Sequence, residues 1–384
     1  MKRVRLLFVL AAAFAAPALE AARSSAFGLD IFNTLVPFGE TRTSVFSPIS
    51  FELDCCVFAE ACDPIKRANI AETLGVLTGF DGVYGPIRKA FAEAPATNRV
   101  SFLEARALCL PSVLLSYVEF RRRIWESCGA SVCQDWPKKG AEHWLRAKMD
   151  GEMEDFEIPL ARPDSHSYRY FDLVSALARL TGEKPVSEEP GRFTALDGTA
   201  GDVVFLRSRR VVDWLSTSDL RLMRLALDGG AYLYLLRPAP GRPFAFLRSL
   251  VTGAKLRDLL VSVESVTELD AGRGWCDVRV PKMDLTGKVD LDKGFVLARV
   301  PSSGFDFIDK TLTHRDACQR VRFRLEGPKA APPAASGGKA APVPARADMP
   351  LKDIGDATFD GPFVFIVYHP ESDVVSIVGQ YTGN

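Results

Sequence analysis

The side chains of this sequence best suited to chemistry are eight cysteines and four histidines. His143, His166, His314 and His369 are scattered without the spacing of a metal site and read as ordinary surface or core histidines. None of Cys55, Cys56, Cys62, Cys109, Cys128, Cys133, Cys276 and Cys318 belongs to a Cys-x-x-Cys pair, which argues against zinc, and Cys128 with Cys133 is the best-placed pair for a local disulfide. The sequence has no Gly-x-Ser-x-Gly elbow, no His-Glu-x-x-His and no Gly-rich phosphate loop. It therefore predicts a protein that is not an enzyme and carries neither a metal nor a cofactor.

The elements available to position these residues are those of a globular protein: 384 residues, 47% hydrophobic and 25% charged. Basic and acidic side chains number 48 each, so a nucleic-acid or membrane-surface role would have to come from a local patch, and none is large enough to predict one. Residues 1–22 combine Lys2, Arg3 and Arg5, an apolar run from Leu6 to Ala16, and small residues at Ala16, Ala18, Ala21 and Ala22. That is the layout of a cleaved secretory signal, too short to span a bilayer comfortably, and it predicts a secreted, extracellular domain over 23–384. No asparagine heads an Asn-x-Ser/Thr acceptor, so N-glycosylation is not expected.

Helical spacing covers Phe27 to Leu35, and a second helix starts at Ser47-Pro48, with Ser47 placed as N-cap. Further helices are predicted over Ser116 to Ser127 and Glu142 to Phe156. Beyond Phe171 the pattern turns to short strands at 203–206, 231–236, 276–280 and 321–325, the last two alternating as half-buried antiparallel strands do. From Glu326 to Pro350 the chain is rich in Pro, Ala and Gly and nearly lacks large apolar residues, so it builds no core. Strand patterns then return at 363–368 and 374–378. A long loop whose flanks must fold into the same sheet system points to function rather than to a plain linker.

Several fragments, in order, resemble the serpin family. Ser44-Val45-Phe46-Ser47-Pro48-Ile49-Ser50 resembles the start of its second helix, with Ser44 in place of Asn, and Ala71-Glu72-Thr73-Leu74-Gly75 the end of its third. Ala105-Arg106-Ala107-Leu108-Cys109-Leu110, with Phe120, Trp136, Trp144-Leu145, Gly151 and Met153, is similar to the segment leading into and through its sixth helix. Leu173-Val174-Ser175-Ala176 stands where the family has Leu-Val-Asn-Ala. Val280-Pro281-Lys282-Met283 with Asp290-Leu291, and Asp360-Gly361-Pro362-Phe363-Val364-Phe365 with Gly379-Gln380, resemble later motifs. The chain is shorter than usual between Leu77 and Leu103, so one helix is reduced or missing; compact helices with a secretion signal also occur in secreted poxvirus serpins, a loose likeness.

The resemblance implies a mixed α/β (α+β) single domain of three β-sheets and about eight helices, with residues 326–351 as an extended reactive loop. It implies an inhibitor of an extracellular serine protease, a monomer that traps its target by inserting the cleaved loop as a new strand. Arg346-Ala347 is the best bait bond, which implies a trypsin-like protease, and Lys339-Ala340 is second. Met349 or Leu351 would imply other proteases. Both basic residues also fit a plain solubilising role. Family spacing counted forward from Gly327 puts the scissile bond near Ala341, and counted back from Pro362 near Leu351, so the loop carries an insertion. The hinge runs through Glu326, Gly327, Pro328, Ala330, Ala331, Pro332 and Pro333. Gly327, Ala330 and Ala331 suit insertion, whereas the three prolines lack the N–H that a strand paired on both sides must donate. These departures favour an alternative, a non-inhibitory binding protein of the same fold for a ligand or an extracellular or host protein. Ser47, Ser50 and Ser175 are expected in the hydrogen-bond network under the central sheet. Arg121, Arg122 and Arg123 form a candidate basic patch for weak glycosaminoglycan binding, against the plainer reading of a solvated helix face, and Arg207, Arg209 and Arg210 are a second such group.

Overall fold

The computed structural model of the chain describes residues 26–76, 80, 85, 101–112, 117–134, 136–160, 167–181, 186–255, 271–308, 310, 312–328 and 351–383. Helix α1 (26–35) is followed by strand β1 (Ser44–Phe46), α2 (Pro48–Glu60) and α3 (Pro64–Leu74). Next come β2 (Ser101–Cys109), α4 (Val118–Cys128), β3 (Ser131–Cys133), α5 (Lys138–Met149) and β4 (Ser167–Arg179). A run of strands follows: β5 (Ser187–Thr194), β6 (Ala200–Ser216), β7 (Leu220–Ala226) and β8 (Tyr232–Pro238), closed by α6 (Phe244–Leu250). The chain continues through β9 (Ala271–Pro281), β10 (Met283–Asp290), α7 (Asp292–Leu297) and β11 (Thr313–Glu326), and ends with β12 (Lys352–Thr358), β13 (Phe363–His369) and β14 (Val374–Tyr381).

Local chemistry explains the helix ends. The Ser47 hydroxyl accepts from the Ser50 N–H at 3.4 Å, and Pro48 occupies the first turn of α2. Asp63 caps α3 by accepting from the N–H groups of Ile65 and Lys66 at 2.8 and 2.9 Å, and Gly75 ends that helix with φ 74°. Helix α5 starts four residues before the expected Glu142, directly after Pro137. It stops at Met149 because Asp150 and Gly151 take left-handed φ values of 49° and 78°.

Among the described residues five strands pair in the order β10-β11-β4-β2-β3. A second sheet runs β1-β14-β13-β8-β7-β6-β9-β12, with β5 on β6. The second and third of the expected sheets are joined here, because β6 is 17 residues long: its middle and end pair with β9, its last residues also with β7, and its start with β5. The alternation expected at 276–280 and 321–325 holds in the burial of β9 and β11. β11 is antiparallel only to β10, however, and parallel to β4, a distinction set by a partner far away in sequence.

All of α2 is buried, with both sheets and α1 around it. Phe58 is its aromatic anchor, 5.0 Å from Tyr170 and 4.9 Å from Phe295 between ring centres. In β14 the backbone passes so close to its neighbours that a Cβ on Gly379 would lie 2.3 Å from Phe365 Cζ, so only glycine fits there.

Candidate functional site

The site is built around the seam between β4 and β11. These neighbours run parallel and in register without interruption from Tyr170↔Ala317 to Arg179↔Glu326. The pairing stays closed past the strand end, where the Leu180 N–H donates to the Glu326 carbonyl at 3.1 Å. Gly327 then packs by Val186, and Pro328 is exposed. Of the predicted hinge these residues mark the edge of what is described; Ala330, Ala331, Pro332 and Pro333, and both bait bonds, Lys339-Ala340 and Arg346-Ala347, lie outside the described residues, as does most of 77–100.

Side chains alternate across a strand, so β2, β4 and β11 each send one set inward onto α2. Gln319 of β11 is buried there. Its Nε2 donates to Asp172 Oδ2 of β4 at 2.9 Å and to the Ser47 carbonyl at 3.1 Å, while its Oε1 accepts from the Ser47 N–H at 2.8 Å. Ser47 Oγ donates to the Ser376 carbonyl at 2.8 Å. One amide thus ties both edges of the seam to the cap of α2 and to β14. The half-buried His369, held neutral down to about pH 4 by burial, shares a 2.9 Å hydrogen bond with Ser376 Oγ.

Beside this lies a buried ionic cluster. Arg106 of β2 donates from Nη1 to the Cys128 carbonyl at 2.6 Å, and from Nη2 to Ser50 Oγ at 2.7 Å and Glu104 Oε1 at 2.8 Å. Its Nε is 3.4 Å from Asp54 Oδ1 and 3.6 Å from Asp172 Oδ1, and Asp54 Oδ1 also accepts from the Tyr170 hydroxyl at 2.7 Å. Three carboxyl groups surround one guanidinium, all but Glu104 essentially inaccessible to water. Burial works against the charge on Arg106, but Glu104, Asp172 and Asp54 more than offset it and hold it protonated. Burial, with repulsion from Asp172, pushes the Asp54 carboxyl well above its usual range despite Arg106 and Tyr170, and burial raises Glu104 as well.

A pH dependence follows. A carboxyl whose folded-state affinity for protons is raised favours folding below its ordinary range near 3.8 and loses that contribution as pH climbs through the raised value. Asp54→Asn keeps an acceptor for Tyr170 and has no charge to bury. Urea midpoints measured from pH 4 to pH 8 should show the variant gaining on the wild type as pH rises. Parallel curves for the two proteins would show that Asp54 is not the group responsible.

The opposite face of β11 carries Arg320, Arg322 and Arg324. Arg322 bonds Asp284 of β10 at 2.8 and 2.9 Å and Glu152 at 3.0 Å, Arg324 bonds Glu152 at 2.5 Å, and Arg320 pairs with Asp155. The turn after α5 is thereby fastened across the outer side of the sheet.

Ser47 and Ser50 come together in the inner network. Ser175 does not: on β4 it shares the odd-numbered phase of Phe171 and Leu173, which packs under α5, while the even phase supplies Asp172 and Tyr170. Asp172, Gln319, Arg106, Glu104 and Asp54 were not expected there. The signal available was a polar residue at every second place of β2, Glu104 and Arg106, which looks like a solvated face. The expected Cys128–Cys133 bridge is also corrected, since all eight thiols are free and buried. Cys128 lies against Cys56, and Cys133 against Cys109, its register partner across β2 and β3. The arginine patch is engaged within the chain: Arg121 donates to Gln134, Arg122 bridges Glu119 and Glu126, and Arg123 meets Glu60 and the Phe307 ring. Arg207 and Arg209 pair with Asp277 and Asp353, and Arg210 is buried, donating to Ser208.

Neither a family model nor a curated protein matches this sequence. Among solved structures the fold is similar to that of native protease nexin-1 with heparin, with a TM-score of 0.73 and 16% identity over 96% of this chain and 99% of that one.

Proposed function

We propose that this chain, which has the serpin fold, is a secreted inhibitor of a trypsin-like serine protease. In this reading Arg346-Ala347 is the bait and the β4–β11 seam receives the freed segment that follows Glu326. The seam is the observation that carries the reading. A segment leaving the end of β11 and turning back between two parallel strands would run antiparallel to both. One parallel pairing would be exchanged for two antiparallel ones, which are slightly the more stable kind. The intact sheet would thus hold a transition that a cut in the loop releases. The hinge prolines slow that release, so most encounters end in hydrolysis and a minority in trapping.

Incubation with trypsin-like proteases tests this directly. A fraction of the protease should shift to a detergent-stable complex, and Arg346→Ala should abolish it while leaving the chain folded. Absence of any such complex, even when the hinge prolines are replaced, would transfer the protein to the second reading, a non-inhibitory binding protein of the same fold. The position of Pro328, directly beyond the closed end of the seam, favours that reading. Glycosaminoglycan contact through Arg121, Arg122 and Arg123 is proposed to be weak, because Glu119, Glu126 and Glu60 already occupy two of the three guanidinium groups.

A further inference from the structure

We infer that the pocket between β12 and the strands β6, β7 and β8 is a binding site for a small aromatic carboxylate. The cavity measures about 240 Å³, below the roughly 300–1,000 Å³ typical of drug-sized ligands. Its apolar lining includes Trp214, Met223, Ile354 and Phe359, and Arg221 and Arg237 line the same pocket. Trp214 and Met223 are cross-strand partners, and so are Arg221 and Arg237. The last pairing places like charges directly opposite each other, an arrangement that costs stability unless an anion relieves it.

No such anion is supplied from within the described residues: neither guanidinium has a carboxylate at ion-pair distance. Arg237 donates from Nη1 to the Thr358 carbonyl at 2.9 Å and lies 5.6 Å from the centre of the Phe359 ring, while Asp360 acts on it only from farther away. Burial and the facing Arg221 both work against its charge. Trp214 lies over Gly272, where a Cβ would be 3.2 Å from its Nε1, so the backbone there is bare for the indole to cover. A carboxylate bridging Arg221 and Arg237 satisfies both cations, and a flat ring behind it fills the space between Trp214, Met223, Ile354 and Phe359. The occupant would also join β12, the strand directly following residues 329–350, to three strands of its sheet.

Calorimetric titration of the full-length protein with 2-naphthoate is the test, with 2-naphthalenemethanol as the uncharged analogue. Saturable one-to-one binding of the acid is expected, with the alcohol binding about tenfold or more weakly, the usual scale for losing a charge-assisted pair of hydrogen bonds. Arg221→Gln, on an exposed side chain, should weaken the acid by a similar factor without affecting the fold. Arg237→Gln should do the same, and Arg299→Gln, at a distant surface ion pair, should change nothing. Equal affinity for acid and alcohol, an Arg221→Gln protein that binds as the wild type does, an equal loss in Arg299→Gln, or no saturable binding would each overturn the inference.

Discussion

A single cut between Lys339 and Leu351 should raise the melting temperature of the wild-type protein by only a few degrees, because the freed segment inserts slowly and in part. In a variant with Pro328→Thr, Pro332→Ala and Pro333→Ala, the same cut should raise it by about 10 °C or more. The argument rests on the ladder. Between β4 and β11 every N–H of an inserted strand would face a carbonyl on one side or the other, and a proline has none to offer. Each missing bond costs on the order of 1 kcal/mol, and more where the facing carbonyl is left buried and unpaired. Three prolines then remove several kcal/mol, and for large domains each kcal/mol moves the midpoint by roughly 2–4 °C. Thermal melts of both proteins, intact and nicked, decide the matter. A large rise in the nicked wild type would show that the prolines do not obstruct the seam, and its absence in the variant would show that the seam does not accept the segment at all.

Arg106→Met should be the most damaging single substitution in the interior, destabilising the fold by about 3–5 kcal/mol at neutral pH, the usual cost of removing one partner from a buried ion pair. Among the described residues the guanidinium is the only cation beside Asp54, Asp172 and Glu104, and it also holds the Cys128 carbonyl and Ser50. The loss should shrink as the buffer is acidified toward pH 5, because the abandoned carboxyl groups take up protons. Adding Asp54→Asn and Asp172→Asn should recover most of the stability at pH 7, since the charges left behind are then gone. Denaturant midpoints of the single and triple variants measure both effects. If the triple variant is as unstable as the single one, the defect is packing around the longer side chain and not uncompensated charge.

What was legible in the sequence was local. The Ser47-Pro48 start of α2 needs only adjacent residues, and the alternation of β9 and β11 is written in every second position. The parallel pairing of β11 with β4 was not, because register and direction are chosen by partners over a hundred residues apart. The inner network failed for a related reason. Leu173-Val174-Ser175-Ala176 names four consecutive residues, but only the fold says which phase of the strand faces α2, and a displacement of one or three places moves a side chain to the other side of the sheet. In β2 both phases are covered, so Glu104 and Arg106 look like a wet face and are in fact the dry one. The Cys128–Cys133 expectation erred the same way, by preferring closeness along the chain to closeness across strands.

The arginines on the outer side of β11 make dissolved salt a participant in how firmly the turn after α5 is held to the sheet. Arg320, Arg322 and Arg324 are between a fifth and a third exposed, so their bonds to Glu152, Asp155 and Asp284 are open to counterions. At physiological ionic strength screening acts over about 8 Å, and each exposed pair contributes on the order of 0.2–1 kcal/mol. Three such arginines fastening one turn across the sheet form a latch whose grip slackens as the medium grows saltier, while the network beneath, closed off from the solvent, keeps its hold unchanged.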